Sequence, residues 1–339
     1  MRTRKTGCGD HDPTPLTVTD LAPLARAALG RARALTGVER LRGGTKKGVY
    51  RLTLDDGSTA VAYVWSADED YWDQPDPDPR DPFSHRTGLG LFTAAHDRLA
   101  AAGVRTPRLR YADSTHTHLP AEVAVVEDLT GGSLEDGLAR DPDGAPQTLE
   151  RMAELLAALH SHTGPRFGKV AVVDGGGSSY GESCTQRVTE DALRCIAEAA
   201  ARDPRAAAAR RELEEEIHAL AAEVGPRDRH TLIHGELGAD HVLLTPGGQP
   251  ALIDIEGLMY FDVEHEHVFL RLRFGPHYEA LRAPGLDEAR LRLYRLSMHL
   301  GLVSGPLTLI EGDFPHPERM REIAEHNLHQ ALSLLKSAS

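Results

Sequence analysis

From Leu232 the chain reads Leu-Ile-His-Gly-Glu-Leu-Gly-Ala-Asp-His-Val-Leu-Leu, then Gly247-Gly248, then Ala251-Leu252-Ile253-Asp254-Ile255-Glu256-Gly257. Three short apolar runs alternate with polar or glycine-rich turns, and none is long enough for a helix. An apolar strand therefore delivers His234 and Glu236 into a tight turn. A second strand follows, and the Gly247-Gly248 turn separates it from a third that ends in Asp254. Carboxylates end up at neighbouring strand ends, and the rest of the chain has to supply the layers that bury those strands.

The surrounding pattern is mixed. Residues 1–17 are polar and contain proline, a loose tail. Leu21–Leu35 has helical spacing with Thr19 or Asp20 as N-cap. Val38–Leu41, Val49–Leu54 and Ala60–Trp65 read as strands, joined by Gly43-Gly44-Thr45-Lys46-Lys47-Gly48 and by the hairpin signal Asp55-Asp56-Gly57. Residues 66–87 are rich in Asp and Pro and read as a solvated loop, with a cover over a cleft as the less favoured alternative. Gly88–Ala102 is a helix closed by Gly103, and Arg108–Ala112 and Ala121–Val126 are strands. Helical periodicity then dominates, over Leu149–His160, Thr185–Ala201, Ala206–Val224, Glu288–Val303 and Arg319–Leu335. The expected fold class is α+β in two lobes: a small antiparallel β-sheet lobe and a larger, mainly helical lobe. The expected division is a tail and helix over 1–37, a small lobe over 38–130, and a large lobe over 131–339.

The loop around His234-Gly235-Glu236 and the strand ending in Asp254 resemble the catalytic and metal-binding loops of the aminoglycoside phosphotransferase and choline kinase family, which has a protein-kinase-like fold. That family's first loop usually reads His-Gly-Asp, followed after four residues by Asn; here Glu236 stands for the Asp and His241 for the Asn. The resemblance implies transfer of the γ-phosphate of ATP or GTP to a hydroxyl, with Mg²⁺ held by Asp254 and the hydroxyl oriented by Glu236. It makes His234 a support for the catalytic turn rather than a base. The connector Glu127-Asp128-Leu129 would present its backbone to the purine, and Asp262 would tie loops together.

The departures carry chemical weight. Glu236 keeps the charge of an Asp but is one methylene longer, and a misplacement of ~1 Å can cost about 100-fold in rate. His241 offers nitrogen where Mg²⁺ prefers oxygen, so Mn²⁺ becomes the alternative ion. The strand lysine that pairs with a helix glutamate in kinase-like enzymes should fall near Tyr63. However, no Lys or Arg occurs between Ser58 and Pro79, and the helix Gly88–Ala102 has no Glu. The chain has five lysines, at 5, 46, 47, 169 and 336. Lys46 or Lys47, in the hairpin with Gly43 and Gly44, is therefore expected to turn inward to the phosphates. The alternative is that both are exposed turn residues.

Glu256, Asp262, Glu264 and Glu266, with Asp313, are expected to form an acidic face for an amine-bearing acceptor, with a solvated surface as the competing reading. Metal binding by the run Glu264-His265-Glu266-His267 is disfavoured, because adjacent helical residues face different ways. A net charge of −13 argues against a nucleic-acid groove. No stretch approaches the ~20 apolar residues of a membrane span, and the absence of a secretory pattern, with three cysteines that lack metal spacing, fits a cytoplasmic protein. Asp174-Gly175-Gly176-Gly177 lacks the lysine and strand–helix context of a phosphate loop and reads as a surface loop. The expected partner is a small hydroxyl acceptor, such as an aminoglycoside-like antibiotic or another amine-bearing metabolite. A biosynthetic peptide Ser/Thr kinase and a ligand-binding pseudokinase remain open, and the oligomer is a monomer or dimer.

Overall fold

The computed structural model describes residues 15–41, 44–72, 78–312 and 314–338. Gly43 and Asp313, both among the residues singled out above, lie outside them. The first helix, α1 (Val18–Leu29), starts earlier than expected because Thr17, not Thr19 or Asp20, is its N-cap. Asp20 is the third helical residue, and its carboxylate accepts from Thr17 N at 2.8 Å, completing a reciprocal cap.

Five antiparallel strands form the small sheet: β1 (Leu35–Arg40), β2 (Gly48–Leu54), β3 (Thr59–Trp65), β4 (Leu109–Asp113) and β5 (Glu122–Glu127), in the order β1-β2-β3-β5-β4. The helix α2 (Leu89–Ala101) lies between β3 and β4 in sequence. β3 is apolar almost throughout because both its faces are covered. Ala60, Ala62 and Val64 pack under Leu21 and Leu24 of α1, whereas Val61, Tyr63 and Trp65 meet Phe92 and Leu99 of α2. That second cluster continues into the large lobe through Leu237, Leu252 and Ile255, so one core spans both lobes.

The large lobe contains α3 (Leu134–Arg140), α4 (Ala145–His160), β6 (Thr163–Gly164), β7 (Gly168–Lys169), α5 (Val170–Val173), α6 (Cys184–Ala200), α7 (Pro204–Glu223), β8 (His230–Ile233), β9 (Val242–Leu244), β10 (Pro250–Leu252), β11 (Met259–Phe261), α8 (Val263–Phe274), α9 (Glu288–Glu311) and α10 (Pro317–Ala338). The α9 helix runs through Pro306, past the expected end at Val303. None of the described helices is long and apolar enough to cross a membrane.

Strand pairing differs from the simple succession read in the sequence. β8 lies between β6 and β11 in a four-stranded sheet, and β9 and β10 form a separate two-stranded ladder across the Gly247-Gly248 turn, with one further bridge from Leu243 to Ser133. The partner of β8 is the run Met259-Tyr260-Phe261, just beyond Asp254. The chain reverses through Asp254–Gly257, and the two loops of interest thus hang from adjacent ends of one small sheet and one hairpin.

The described parts of the segment, 66–72 and 78–87, are irregular but not a free loop. Trp72 Nε1 donates to Thr45 Oγ1 at 2.7 Å, and Tyr71 N donates to Thr45 O at 2.9 Å, fastening it to the glycine hairpin. Glu69 accepts from Tyr50 OH at 2.7 Å and approaches Gly48 so closely that a Cβ there would lie 2.7 Å from Glu69 Oε1. At its other end, Phe83 packs edge-on against Phe261, and Ser84 O accepts from Lys169 Nζ at 2.8 Å. Trp72 stacks on His85 with ring centroids 3.6 Å apart. The segment straps the small lobe to the large one, which corrects the preference for a solvated loop.

Candidate functional site

The His234-Gly235-Glu236 turn is built at the end of β8. Gly235 has φ +96, and a Cβ on it would meet Gly257 O at 3.3 Å, so a side chain is disfavoured at this position. His234 is buried, and its Nε2 donates to Ile253 O at 2.9 Å, joining the two loops. Burial, reinforced by the nearby His241, pulls its pKa down to about 4. A neutral imidazole held in this way supports the turn.

Glu236 projects from the turn into the cleft, where solvent reaches it. Burial is the strongest single influence and pushes its pKa up, but Lys46, His241 and His85 together more than offset burial and the Asp254 charge, and the net shift is downward. The carboxylate is therefore ionised at neutral pH and able to accept a proton or a hydrogen bond. Lys46 makes no hydrogen bond among the described residues.

Asp254 adopts the left-handed conformation, φ 58 and ψ 46, which Asp tolerates better than most side chains. Its Oδ1 accepts from Lys47 Nζ at 2.7 Å, and the same ammonium donates to Glu256 Oε1 at 2.5 Å. Trp65 Nε1 adds a bond to Glu256 Oε1 at 3.3 Å. Lys47 is 6% exposed, and its Nζ sits 5.4 Å from the Tyr63 ring centroid. The hairpin register accounts for its direction: Gly48 pairs with Val64 and Val49 with Tyr63, so Lys47 falls opposite Trp65 on the cleft side of the sheet. Burial lowers the pKa of Lys47, but the two carboxylates more than reverse this, and Lys47 in turn holds Asp254 far below the usual carboxylate range.

His241 Nδ1 donates to Glu236 O at 2.8 Å, which leaves Nε2 facing Asp254 Oδ2 at 3.7 Å. Asp240, beside it, is claimed by Arg273, whose Nη2 lies 2.5 Å from each carboxylate oxygen. Asp254 Oδ2 and His241 Nε2 are thus one oxygen and one nitrogen converging from two loops, a donor pair that suits a divalent cation accepting mixed ligands.

The acids that follow Asp254 are not on a cleft surface. Glu264 is fully buried and bidentate with Arg227, at 2.6 and 2.9 Å. Asp262 accepts from Arg290 Nε at 2.9 Å and from Tyr294 OH at 2.5 Å; burial pushes its pKa up, but His230, Tyr294, Arg227 and Arg290 together bring it down to about 2. Glu266 is also enclosed, its Oε2 accepting from Gly235 N at 2.8 Å. This corrects the expectation of an acidic acceptor face: Asp262, Glu264 and Glu266 brace the lobe and the His234-Gly235-Glu236 turn from inside, and Glu256 belongs to the Lys47 cluster. One group with metal-ligand spacing, Cys184, His230 and Asp262, is buried, and its carboxylate is already engaged by Arg290 and Tyr294.

Burial raises the Glu266 pKa from 4.5 to about 7, and the protonated form fits an Oε1 that has no partner. The unfolded chain loses this proton first, so the contribution of Glu266 to stability falls as pH rises from about 4.5 to 7 and is flat above that. Relative to the native chain, Glu266→Gln should gain on the order of 2–3 kcal/mol between pH 5 and pH 8. Urea unfolding at the two pH values reads this directly; a constant difference would mean that Glu266 is ionised in the fold.

At the connector, the Glu127 carboxylate is held by Arg105 Nη2 at 2.5 Å and that of Asp128 by Arg51 Nε at 2.8 Å, while Leu129 is buried. Facing Glu236 from the strap and from β7 are His85 and Lys169. Burial and the Lys46 charge lower His85 to about 3 and Lys169 to about 8. Neither was singled out in the sequence for this site, because the strap that brings them there carries no recognisable spacing.

A small antiparallel sheet lobe joined to a larger helical lobe, with Asp254 and Glu236 on neighbouring loops, is the arrangement of a kinase-like phosphotransferase. The chain belongs to the phosphotransferase enzyme family, whose sequence profile matches residues 37–297. No curated protein matches the sequence. Among solved structures, a thermostable mutant of aminoglycoside phosphotransferase APH(4)-Ia in ternary complex with AMP-PNP and hygromycin B is similar at TM-score 0.64 and 17% identity, over 94% of this chain and 99% of that one. The GDP and kanamycin complex of APH(2")-IIia gives TM-score 0.58 and 15% identity, over 93% and 98%. A putative fructosamine-3-kinase from Thermobifida fusca YX-ER1 gives 0.56 and 19%, over 91% and 98%. At such identities the likeness is one of fold.

Proposed function

We propose that this protein transfers the γ-phosphate of ATP or GTP to a hydroxyl of a small molecule, with the nucleotide between the lobes 38–130 and 131–339. The observation that carries this reading is the convergence of Lys47, Asp254 and His241 a short distance from an ionised Glu236. Phosphoryl transfer needs charge neutralisation and alignment rather than covalent chemistry, and these residues are of the right kinds. Asp254 Oδ2 and His241 Nε2 would hold Mg²⁺ or Mn²⁺, and the ion would neutralise charge on the phosphates. Lys47 would exchange a carboxylate for a phosphate oxygen, Lys46 would meet the outer phosphate, and the backbone at Glu127–Leu129 would face the purine. Glu236 orients the acceptor hydroxyl and takes up its proton.

The neighbours solved with hygromycin B and kanamycin make an aminoglycoside-like acceptor a natural first candidate. The charges around Glu236 favour a neutral or acidic hydroxyl compound instead, because Lys46 and Lys169 face that region and Asp262, Glu264 and Glu266 are internal. The test is a nucleotide-turnover screen against aminoglycosides, neutral sugars, sugar acids and serine peptides, with Mg²⁺ and Mn²⁺ in parallel. Phosphate on a small molecule supports the proposal; phosphate on peptides alone transfers the reading to a peptide kinase. Nucleotide binding without turnover on any acceptor would leave a pseudokinase, a reading that the Glu236 and His241 exchanges favour. Binding itself is measured as thermal stabilisation, about 2.7 kcal/mol at 100 times Kd.

Glu236→Gln keeps the size of the side chain and removes its basicity. Turnover should fall by about 100- to 10,000-fold at unchanged nucleotide affinity. A variant as active as the native chain would remove Glu236 from the chemistry.

A further inference from the structure

Helix α8 serves two sides of the large lobe. Glu266 turns to the catalytic loop, whereas His267 with Arg271, and Val268 with Leu272, form i, i+4 pairs on another face. That face lines a cavity of about 370 Å³ closed by α9, α10 and the segment around Tyr278 and Arg282. Neither Glu236 nor Asp254 lines it.

The chemistry of the cavity runs against that of the whole chain. The protein carries a net charge of −13, yet four arginines, Arg271, Arg282, Arg292 and Arg295, converge here with a single lining acid, Glu288. Arg282 reaches Glu288 at 3.4 Å, and Arg292 pairs with Glu223. Arg271 and Arg295 have no hydrogen-bond or ion-pair partner among the described residues, and the Arg295 Nε is buried. Burial and the Arg271 charge both act against the Arg295 guanidinium. His267 is 1% exposed and its Nε2 is buried without a partner. Beside these groups on the same two helices, the lining is apolar, made by Val268 and Leu272 of α8 and Leu291 and Met298 of α9. Two unpaired guanidiniums beside an apolar wall match a ligand with a charged end and a greasy body.

We propose that this cavity binds a small organic anion, a phosphate or carboxylate on an apolar body, with the anionic group between Arg271 and Arg295 and the body on the Val268–Met298 wall. A lone inorganic ion would leave that wall uncovered, so an aryl-bearing anion binds more tightly than phosphate alone.

Calorimetric titration of the full chain with phenyl phosphate, benzoate and inorganic phosphate tests this. One saturable site is expected for phenyl phosphate or benzoate, with inorganic phosphate weaker. Affinity should fall about tenfold or more in Arg271→Ser and in Arg295→Met. Arg271 is exposed, so its variant keeps the fold intact. Lys46→Met, at the nucleotide cleft, should leave the affinity unchanged. Absence of saturable binding by both aryl anions overturns the proposal, as does binding that Lys46→Met weakens and Arg271→Ser leaves alone. Since no nucleotide is involved, its failure leaves the phosphotransfer reading standing, and loss of the phosphotransfer reading leaves this site to be judged on its own titration.

Discussion

Asp254→Asn is expected to lower turnover by about 100- to 1,000-fold, the scale on which a preorganised charge at a reacting phosphate matters. Asn has the same shape and also tolerates the left-handed backbone that Asp254 adopts, so the loop should keep its path. What disappears is a full negative charge whose Oδ2 accepts no hydrogen bond from the described residues and whose Oδ1 is held by Lys47 at 2.7 Å. Lys47 retains Glu256 as a partner, which limits the loss of stability. Steady-state turnover at saturating Mn²⁺ and at saturating Mg²⁺ is the measurement. More than about a tenth of native activity remaining in both would place the cation elsewhere.

Lys47→Met should damage both catalysis and the fold. Met preserves the stem beside Tyr63 but leaves Glu256, 9% exposed, as a buried carboxylate with only the Trp65 indole for a partner. Removing one member of a buried ion pair costs about 3–5 kcal/mol. The Asp254 side chain, 42% exposed, is hydrated and adds little to that sum. Adding Glu256→Gln to Lys47→Met should restore most of the stability, since no buried charge is then left unpaired, but it should not restore turnover. Denaturant unfolding of the two single variants and the double variant, beside their nucleotide turnover, separates the effects. Recovery of activity along with stability would reduce Lys47 to a purely structural lysine.

The parts of this molecule that were legible in the sequence share a property: their signal is local. The apolar runs around His234 and Asp254, the Asp-Gly hairpin and the helical periodicities each depend on neighbours within a few residues. Lys47 became a candidate through scarcity, since only two of the chain's lysines lie near the small sheet, and the β2–β3 register turns one of them inward. The acids at 262–266 misled because their partners, Arg227 and Arg290, lie tens of residues away, and an internal ion pair has the same letters as a solvated face. β6, β7 and β11 are two or three residues long, too short for any period to register. The strap is rich in Asp and Pro, as solvated loops are; what distinguishes it is where Trp72, Phe83 and His85 land.

That strap also constrains how the protein can move. Its grip on Thr45 at one end and on Lys169 and Phe261 at the other ties the glycine hairpin and the side wall facing Glu236 to one segment of chain. On the proposed function, lifting the hairpin to free a nucleotide would pull Trp72 away from His85 and disturb the acceptor's side of the cleft by the same displacement. Two independent doors are not available to such a chain. Trp72→Ala should accordingly speed the departure of nucleotide and acceptor together, and stopped-flow release rates that change for only one of them would show that the two exits are separate.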